Sequence, residues 1–151
     1  MNIIDNHSYF SEDTIMERRK NHSKKRDAIL ACVRSTDAHP TAEWVYQQLK
    51  PQYPDLSLGT VYRNLALFKR EGVIGSACIE DGMERFDRVP TPHAHFVCNC
   101  CHSVRDLMDF KISESLCQQA SEDLQVTVET CQLILRGQCT NCAQRDAASS
   151  A

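Results

Sequence analysis

Between Asp87 and Asp106 the chain reads D-R-V-P-T-P-H-A-H-F-V-C-N-C-C-H-S-V-R-D, twenty residues holding two carboxylates, three histidines and three cysteines. Donors at that density point to metal ligation, and they separate by softness into two sets. Cys98-x-x-Cys101 is matched downstream by Cys139-x-x-Cys142. Each pair lets two thiolates reach one tetrahedral zinc ion, and two pairs close the shell without an open position, which makes the site structural. Cys100 is an alternative sulfur for the first pair. A pair of thioredoxin-like redox motifs is the competing reading, but neither pair opens a helix after a strand. Cys32, Cys78, Cys117 and Cys131 stand alone in the sequence and read as small core residues.

The harder donors make a second set. His93-x-His95 places two imidazoles on one face of an extended segment. With Asp87, Asp106 and the upstream His39 they give three nitrogens and two carboxylates, a mixed shell that suits Fe(II) or Mn(II) and leaves a coordination position open. The plainer alternative is surface histidines and turn aspartates. His7, His22 and His102 read as surface residues.

The elements that must position these groups belong to an ordinary globular chain of 151 residues, 42% hydrophobic and 25% charged, enough for one domain or two small ones. No stretch has the length of a membrane span, and the first thirty residues carry Asp5, Glu12, Asp13 and Glu17 in place of a secretory apolar run, so the expectation is a cytoplasmic protein. There, nine cysteines argue for metal-bound or reduced thiols and against a disulfide scaffold. Charge divides unevenly: residues 1–75 hold 11 Lys+Arg against 9 Asp+Glu, +2, whereas residues 76–151 hold 6 against 11, −5. The basic clusters Arg18-Arg19-Lys20 and Lys24-Lys25-Arg26 fall in the first half only, where they serve either nucleic-acid binding or a solvated helix face.

Residues 8–21 are polar and weakly helical, and Ser23 is a candidate N-cap for a helix carrying Ala28, Ile29, Cys32 and Val33. Asp37 to Pro40 is a turn in which Pro40 should hold His39 extended. Thr41 caps a second helix with Ala42, Val45, Tyr46 and Leu49 on one face. Ser57 caps a third, running to about Arg70 and ended by Gly72, with Leu58, Val61, Leu65 and Phe68 buried. Ser57, Gly59, Thr60, Tyr62, Arg63 and Asn64, near its N-terminal end, could reach base edges and phosphates. Asp81-Gly82 then joins two strand-like runs as a hairpin. Three helices and a hairpin make an N-terminal winged helix-turn-helix DNA-binding domain over residues 1–88, with an extension at about 1–22.

Residues 89–151 form the other part of an α+β chain, a small metal-binding dimerisation domain. Strands are expected over His95 to Cys98, Val104 to Phe110, Leu124 to Glu129 and Cys131 to Arg136, with a helix from Ser113 to Asp123. Val126, Val128, Leu133 and Leu135 alternate, so one face is buried on the helix or across a partner subunit. A disordered tail is expected over about 143–151.

His39-Pro40-Thr41-Ala42-Glu43 and Ser57-Leu58-Gly59-Thr60-Val61-Tyr62-Arg63-Asn64-Leu65 resemble the DNA-binding half of the ferric-uptake-regulator (Fur) family of metal-dependent repressors. Glu84-Arg85-Phe86-Asp87, His93-x-His95-x-x-Cys98-x-x-Cys101 and Asp106 resemble its peroxide-sensing (PerR-type) members, over a span from about Ser23 to Cys142. The resemblance implies a recognition helix bearing Tyr62 and Arg63, a regulatory Fe/Mn site at His39, Asp87, His93, His95 and Asp106, and structural zinc at Cys98, Cys101, Cys139 and Cys142. Asp106 carries the subtype, since iron-responsive relatives usually have Glu there. A second His-rich site of many relatives finds no histidine between Val126 and Gly137. His102 departs from the pattern, where Gly commonly follows the first knuckle.

The expected function is therefore a homodimeric repressor, not an enzyme, that binds a palindromic operator when its metal joins the two halves. Hydrogen peroxide would release it through metal-catalysed oxidation of His39 or His93. A repressor answering to iron, zinc or manganese supply would share every fold feature and differ in its activating metal. A metallohydrolase could use the same ligands, but no flanking general base or Gly-rich substrate loop accompanies them.

Overall fold

The computed structural model describes residues 12–110 and 114–149, without the side chains of 12–22 and Glu114; the expected extension lies outside the described residues up to residue 11. Helix α1 runs Glu12–Arg34. It passes straight through Ser23, so that residue is no cap. The run contains neither Gly nor Pro and is rich in Glu, Arg and Lys, and nothing interrupts the backbone ladder before Ile29 and Val33 bury their side chains.

Helix α2 (Ala42–Leu49) starts where Thr41 accepts a hydrogen bond from the Trp44 amide, and helix α3 (Leu58–Arg70) where Ser57 accepts one from the Thr60 amide. Val61, Leu65 and Phe68 of α3 meet Val45 and Leu49 of α2 and Ile29 and Val33 of α1 in one apolar cluster. Gly72, at φ +67, ends α3 while the Val73 amide bonds the Phe68 carbonyl, a left-handed stop that a Cβ would strain. Strands β1 (Gly75–Glu80) and β2 (Met83–Asp87) pair antiparallel, with a bulge between Ser76 and Cys78. Asp81 and Gly82 both have positive φ, as a two-residue type I′ hairpin requires. Three helices and this hairpin are a winged helix.

The second half is a three-stranded sheet ordered β4-β3-β5. Strand β3 (Ala94–Cys98) is antiparallel to β4 (Val104–Leu107) and parallel to β5 (Ile134–Gly137). Helix α4 (Glu114–Leu124) lies in the β4-to-β5 crossover. The strand expected over Leu124 to Glu129 does not form. There the chain folds back on α4: the Val126 amide bonds the Ser121 carbonyl, the Val128 amide bonds Ser121 Oγ, and Cys131 is joined to Cys117 by a disulfide. Those two cysteines are thus partners, not the isolated core residues expected. Leu116, Leu124, Val126 and Leu135 stay exposed, an apolar surface that no strand among the described residues covers.

Residues 143–149 are not a disordered tail but the continuation of helix α5 (Thr140–Ser149), anchored by fully buried Cys142 and a Gln138–Asp146 hydrogen bond. The hairpin faces both ways. Phe86 belongs to the helical core, whereas Ala77 and Cys78 pack with Val97, Val104 and Ile134 of the second sheet. Glu80, 9% exposed, adds an ion pair to Arg136 at 2.5 Å.

Candidate metal centres

Cys98 ends β3, Cys101 lies in the β3–β4 turn, and Cys139 and Cys142 sit at the start of α5. The fold brings these four sulfurs within 4.8 Å of one another. Cys101 and Cys139 are 3.9 Å apart, close to the ~3.8 Å edge of a tetrahedron with zinc–sulfur bonds of about 2.3 Å. Amides of Cys101 and Cys139 point at the Cys98 sulfur and hold its thiol down at about 6, so it is mostly thiolate at neutral pH. The Ser103 hydroxyl lowers the Cys101 thiol in the same direction, and Arg145 Nη2 stands 3.0 Å from Cys142 Sγ. Cys100 is exposed and is not among the four, so Cys101 supplies the second sulfur of the first pair.

The second centre lies where the halves meet. His95 on β3 and Asp106 on β4 are direct cross-strand partners, so their side chains share a face. Asp87 ends β2, where its Oδ1 accepts from the Val89 amide at 2.8 Å. His93 enters β3 with Nδ1 2.8 Å from the Thr91 carbonyl, a contact that puts the ring proton on Nδ1 and leaves Nε2 as a lone pair facing the cluster. His39, from the α1–α2 turn, reaches across with Nε2 2.6 Å from Asp106 Oδ1 and 3.9 Å from Asp87 Oδ1. His93 Nε2 is 3.2 Å from both Asp87 Oδ2 and Asp106 Oδ1, and His95 Nε2 is 3.1 and 3.4 Å from the same pair.

His39 is not extended, as the following proline alone would require; its φ is +51. The left-handed backbone turns its ring back towards the sheet, and the Phe86 amide, bonded to the Pro40 carbonyl at 3.0 Å, fixes that turn beside Asp87. Asp87, His93, His95 and His39 are all buried. Burial raises the Asp87 carboxyl, but hydrogen bonds from His95 and the Val89 amide and the neighbouring imidazoles outweigh it, and the group stays below the ordinary aspartate range.

The donors themselves fit a metal at both centres. His39 Nε2, His93 Nε2 and Asp106 Oδ1 are buried without a hydrogen-bond partner, although His39 and Asp106 nearly touch; the approach is misaligned for a hydrogen bond and suits two ligands aimed at one ion. His39, Asp87, His95 and Asp106 bring donor atoms within 4.8 Å of one another, and His93, outside that set of four, places Nε2 3.2 Å from both carboxylates; imidazoles with carboxylates suit a divalent cation such as Fe(II) or Mn(II), whose charge the carboxylates balance. Four cysteine sulfurs within 4.8 Å of one another supply a full tetrahedral shell and fit zinc.

On α3, Ser57, Gly59, Tyr62 and Arg63 are exposed and Thr60 is half-buried. The Tyr62 hydroxyl donates to Glu43, and Arg63 Nη2 to Thr60 Oγ1 at 3.1 Å. Asn64 departs from the set expected to reach DNA: it is buried, its Nδ2 donating to the Thr60 carbonyl at 2.8 Å. What sequence reasoning missed was the Cys117–Cys131 pair, 14 residues apart with no spacing motif to give it away.

Comparison with known proteins agrees with this architecture. Residues 17–136 match the model of the ferric uptake regulator family. The chain is 29% identical over 134 residues to the peroxide operon regulator of Bacillus subtilis, covering 89% of this chain and 92% of that one. It is 36% identical over 90 residues to the peroxide-responsive repressor PerR of Staphylococcus aureus, covering 60% of this chain and 61% of the other. Among solved structures, the Campylobacter jejuni peroxide stress regulator superposes with a TM-score of 0.67 at 20% identity, over 86% of this chain and 97% of that one. The Francisella tularensis ferric uptake regulator with iron gives 0.62 at 24%, over 78% and 90%. These two likenesses are of fold.

Proposed function

This chain belongs to the ferric uptake regulator family, whose members are dimeric DNA-binding regulators, and from that premise we propose that it is a repressor that senses hydrogen peroxide at the His39, Asp87, His93, His95 and Asp106 cluster. One observation carries the reading: His39, from the winged-helix half, stands 2.6 Å from Asp106 of the second sheet. An ion shared by these side chains ties the two halves at one angle. The domain boundary near residue 88 then acts as the hinge, and two α3 helices of a dimer are held at the spacing of a palindromic operator. The exposed Leu116, Leu124, Val126 and Leu135 supply an apolar face for the second subunit.

Each protein group has a task in this scheme. Nδ1 of His93 is engaged by Thr91, which keeps Nε2 aimed inward. Asp87 supplies charge that stays ionised at neutral pH. Burial of the rings limits their contact with bulk water. Bound here, Fe(II) would supply electrons for the reduction of hydrogen peroxide next to the ring carbons of His39 and His93. A ring that has gained oxygen is a poorer donor, the halves separate, and ordering them again must be drawn from DNA-binding energy. Four thiolates at Cys98, Cys101, Cys139 and Cys142 brace the second half through zinc. Ser57, Gly59, Thr60, Tyr62 and Arg63 face the duplex, and Asn64 holds the helix that presents them.

The test is a mobility shift on a palindromic operator with Fe(II)- or Mn(II)-loaded protein, before and after peroxide, with peptide masses measured in parallel. We expect peroxide to abolish the iron complex alone and to add one oxygen to a peptide containing His39 or His93. Release with both histidines unmodified would overturn the reading in favour of a thiol switch.

A further inference from the structure

We propose that Cys117 and Cys131 are a second oxidation site, a dithiol that peroxide closes to a disulfide without help from the regulatory metal. Cys117 lies on α4 and Cys131 just before β5, and the fold sets their Cα atoms 6.5 Å apart with the sulfurs bonded, a separation inside the range that a disulfide spans. Neither belongs to the four-sulfur cluster of Cys98, Cys101, Cys139 and Cys142. A zinc site of four cysteines fills only where thiols are kept reduced, so a disulfide in the same domain opens in that environment and closes when an oxidant arrives.

Position decides which sulfur meets the oxidant. Thr130, Cys131 and Gln132 line the same open cleft of about 240 Å³ as Asp87, His93 and His95. A small hydrophilic peroxide in that cleft meets Cys131 as well as those histidines. The Cys131 thiolate attacks one peroxide oxygen; the O–O bond breaks, and with one proton the products are a sulfenic acid and water. Cys117 Sγ then attacks the Cys131 sulfur, the S–O bond breaks, and the hydroxyl leaves as a second water. The two thiols are oxidised by two electrons and one hydrogen peroxide is reduced to two waters. Closure ties residues 125–131 to α4 at the point where Ser121 already holds Val126 and Val128.

The inference rests on the peroxide-sensing reading only for the identity of the oxidant, and the experiment separates the two. Fully reduced, zinc-loaded protein carrying Mn(II) is treated with hydrogen peroxide, and its thiols are alkylated and mapped. We expect a Cys117–Cys131 disulfide, reversed by dithiothreitol, with zinc retained. In Cys117→Ser, a dimedone adduct should accumulate on Cys131; in Cys131→Ser, Cys117 should remain an alkylatable thiol. Both cysteines alkylated after peroxide, or disulfides confined to the zinc cysteines with loss of zinc, would overturn the site. Histidine oxidation in the iron form is scored separately, so failure of one outcome leaves the other standing.

Discussion

At His39 a proposed metal ligand and a strained backbone coincide. A φ of +51 before a proline is a conformation that β-branched residues avoid and asparagine tolerates. His39→Asn therefore keeps the turn and removes the imidazole. We expect zinc content to stay unchanged while Mn(II) affinity falls about tenfold or more, ~1.4 kcal/mol or above, measured by titration on zinc-loaded protein. Unchanged Mn(II) affinity would take His39 out of the cluster. Asp106 gives a different outcome, because its Oδ1 already lies within 3.4 Å of three imidazoles. Asp106→Glu pushes a carboxylate one methylene further into that space, so the metal should still bind and support operator binding, but with the rings re-aimed and the peroxide response reduced. A mutant as sensitive as its parent would contradict this. The donor types were legible from the sequence because softness sorts them. The backbone of His39 was not, since its turn is fixed by the Phe86 amide, which the fold brings in from the distant hairpin.

Among the elements, α3 shows how a helix divides its work. Arg63 is exposed and leans on Thr60, whereas Asn64 points inward to the Thr60 carbonyl. Arg63→Ala should weaken operator binding and flatten the salt dependence, by about 0.9 in the slope of log K for each phosphate no longer neutralised, with thermal stability unchanged. Asn64→Ala should do the reverse, costing about 1 kcal/mol of stability and leaving the salt slope alone. Calorimetry and duplex titration separate the two, and a matched effect on both variants would sink the assignment of faces. Helices α2 and α3 and the hairpin were readable because caps, 3.6-residue periodicity and Asp81-Gly82 are local signals. The segment from Leu124 to Glu129 was not: alternation marks a strand, but a strand needs a neighbour, and here Ser121 and the Cys117–Cys131 bond hold the backbone against α4. Ser23 misled for a related reason, since a good cap residue caps nothing when the chain before it is equally helical.

At the scale of the whole molecule, the halves meet among the described residues through two regions of different chemistry. One is the cluster around Asp87; the other is the hairpin's own packing on the second sheet, where Ala77 and Cys78 meet Val97, Val104 and Ile134 and Glu80 pairs with Arg136. Arg136, by its hydrogen bond, holds the Glu80 carboxyl below the ordinary glutamate range despite burial. A depressed carboxyl stabilises the folded form above its unfolded pKa and loses that contribution as pH falls through the folded value, so the ion-pair part of this second joint is complete at neutral pH and is lost in acid, while its apolar packing does not titrate. The metal joint differs in being set by ligand concentration. Mn(II) at about one hundred times its dissociation constant should stabilise the protein by about 2.7 kcal/mol, read as a rise in melting temperature of zinc-loaded protein. Glu80→Gln should lower the melting temperature with and without Mn(II) and leave that increment intact, because the two joints share no side chain. If the increment vanishes in Glu80→Gln, the hairpin packing and the metal cluster are one cooperative lock, and the proposed hinge near residue 88 is governed from the wing as much as from the ion.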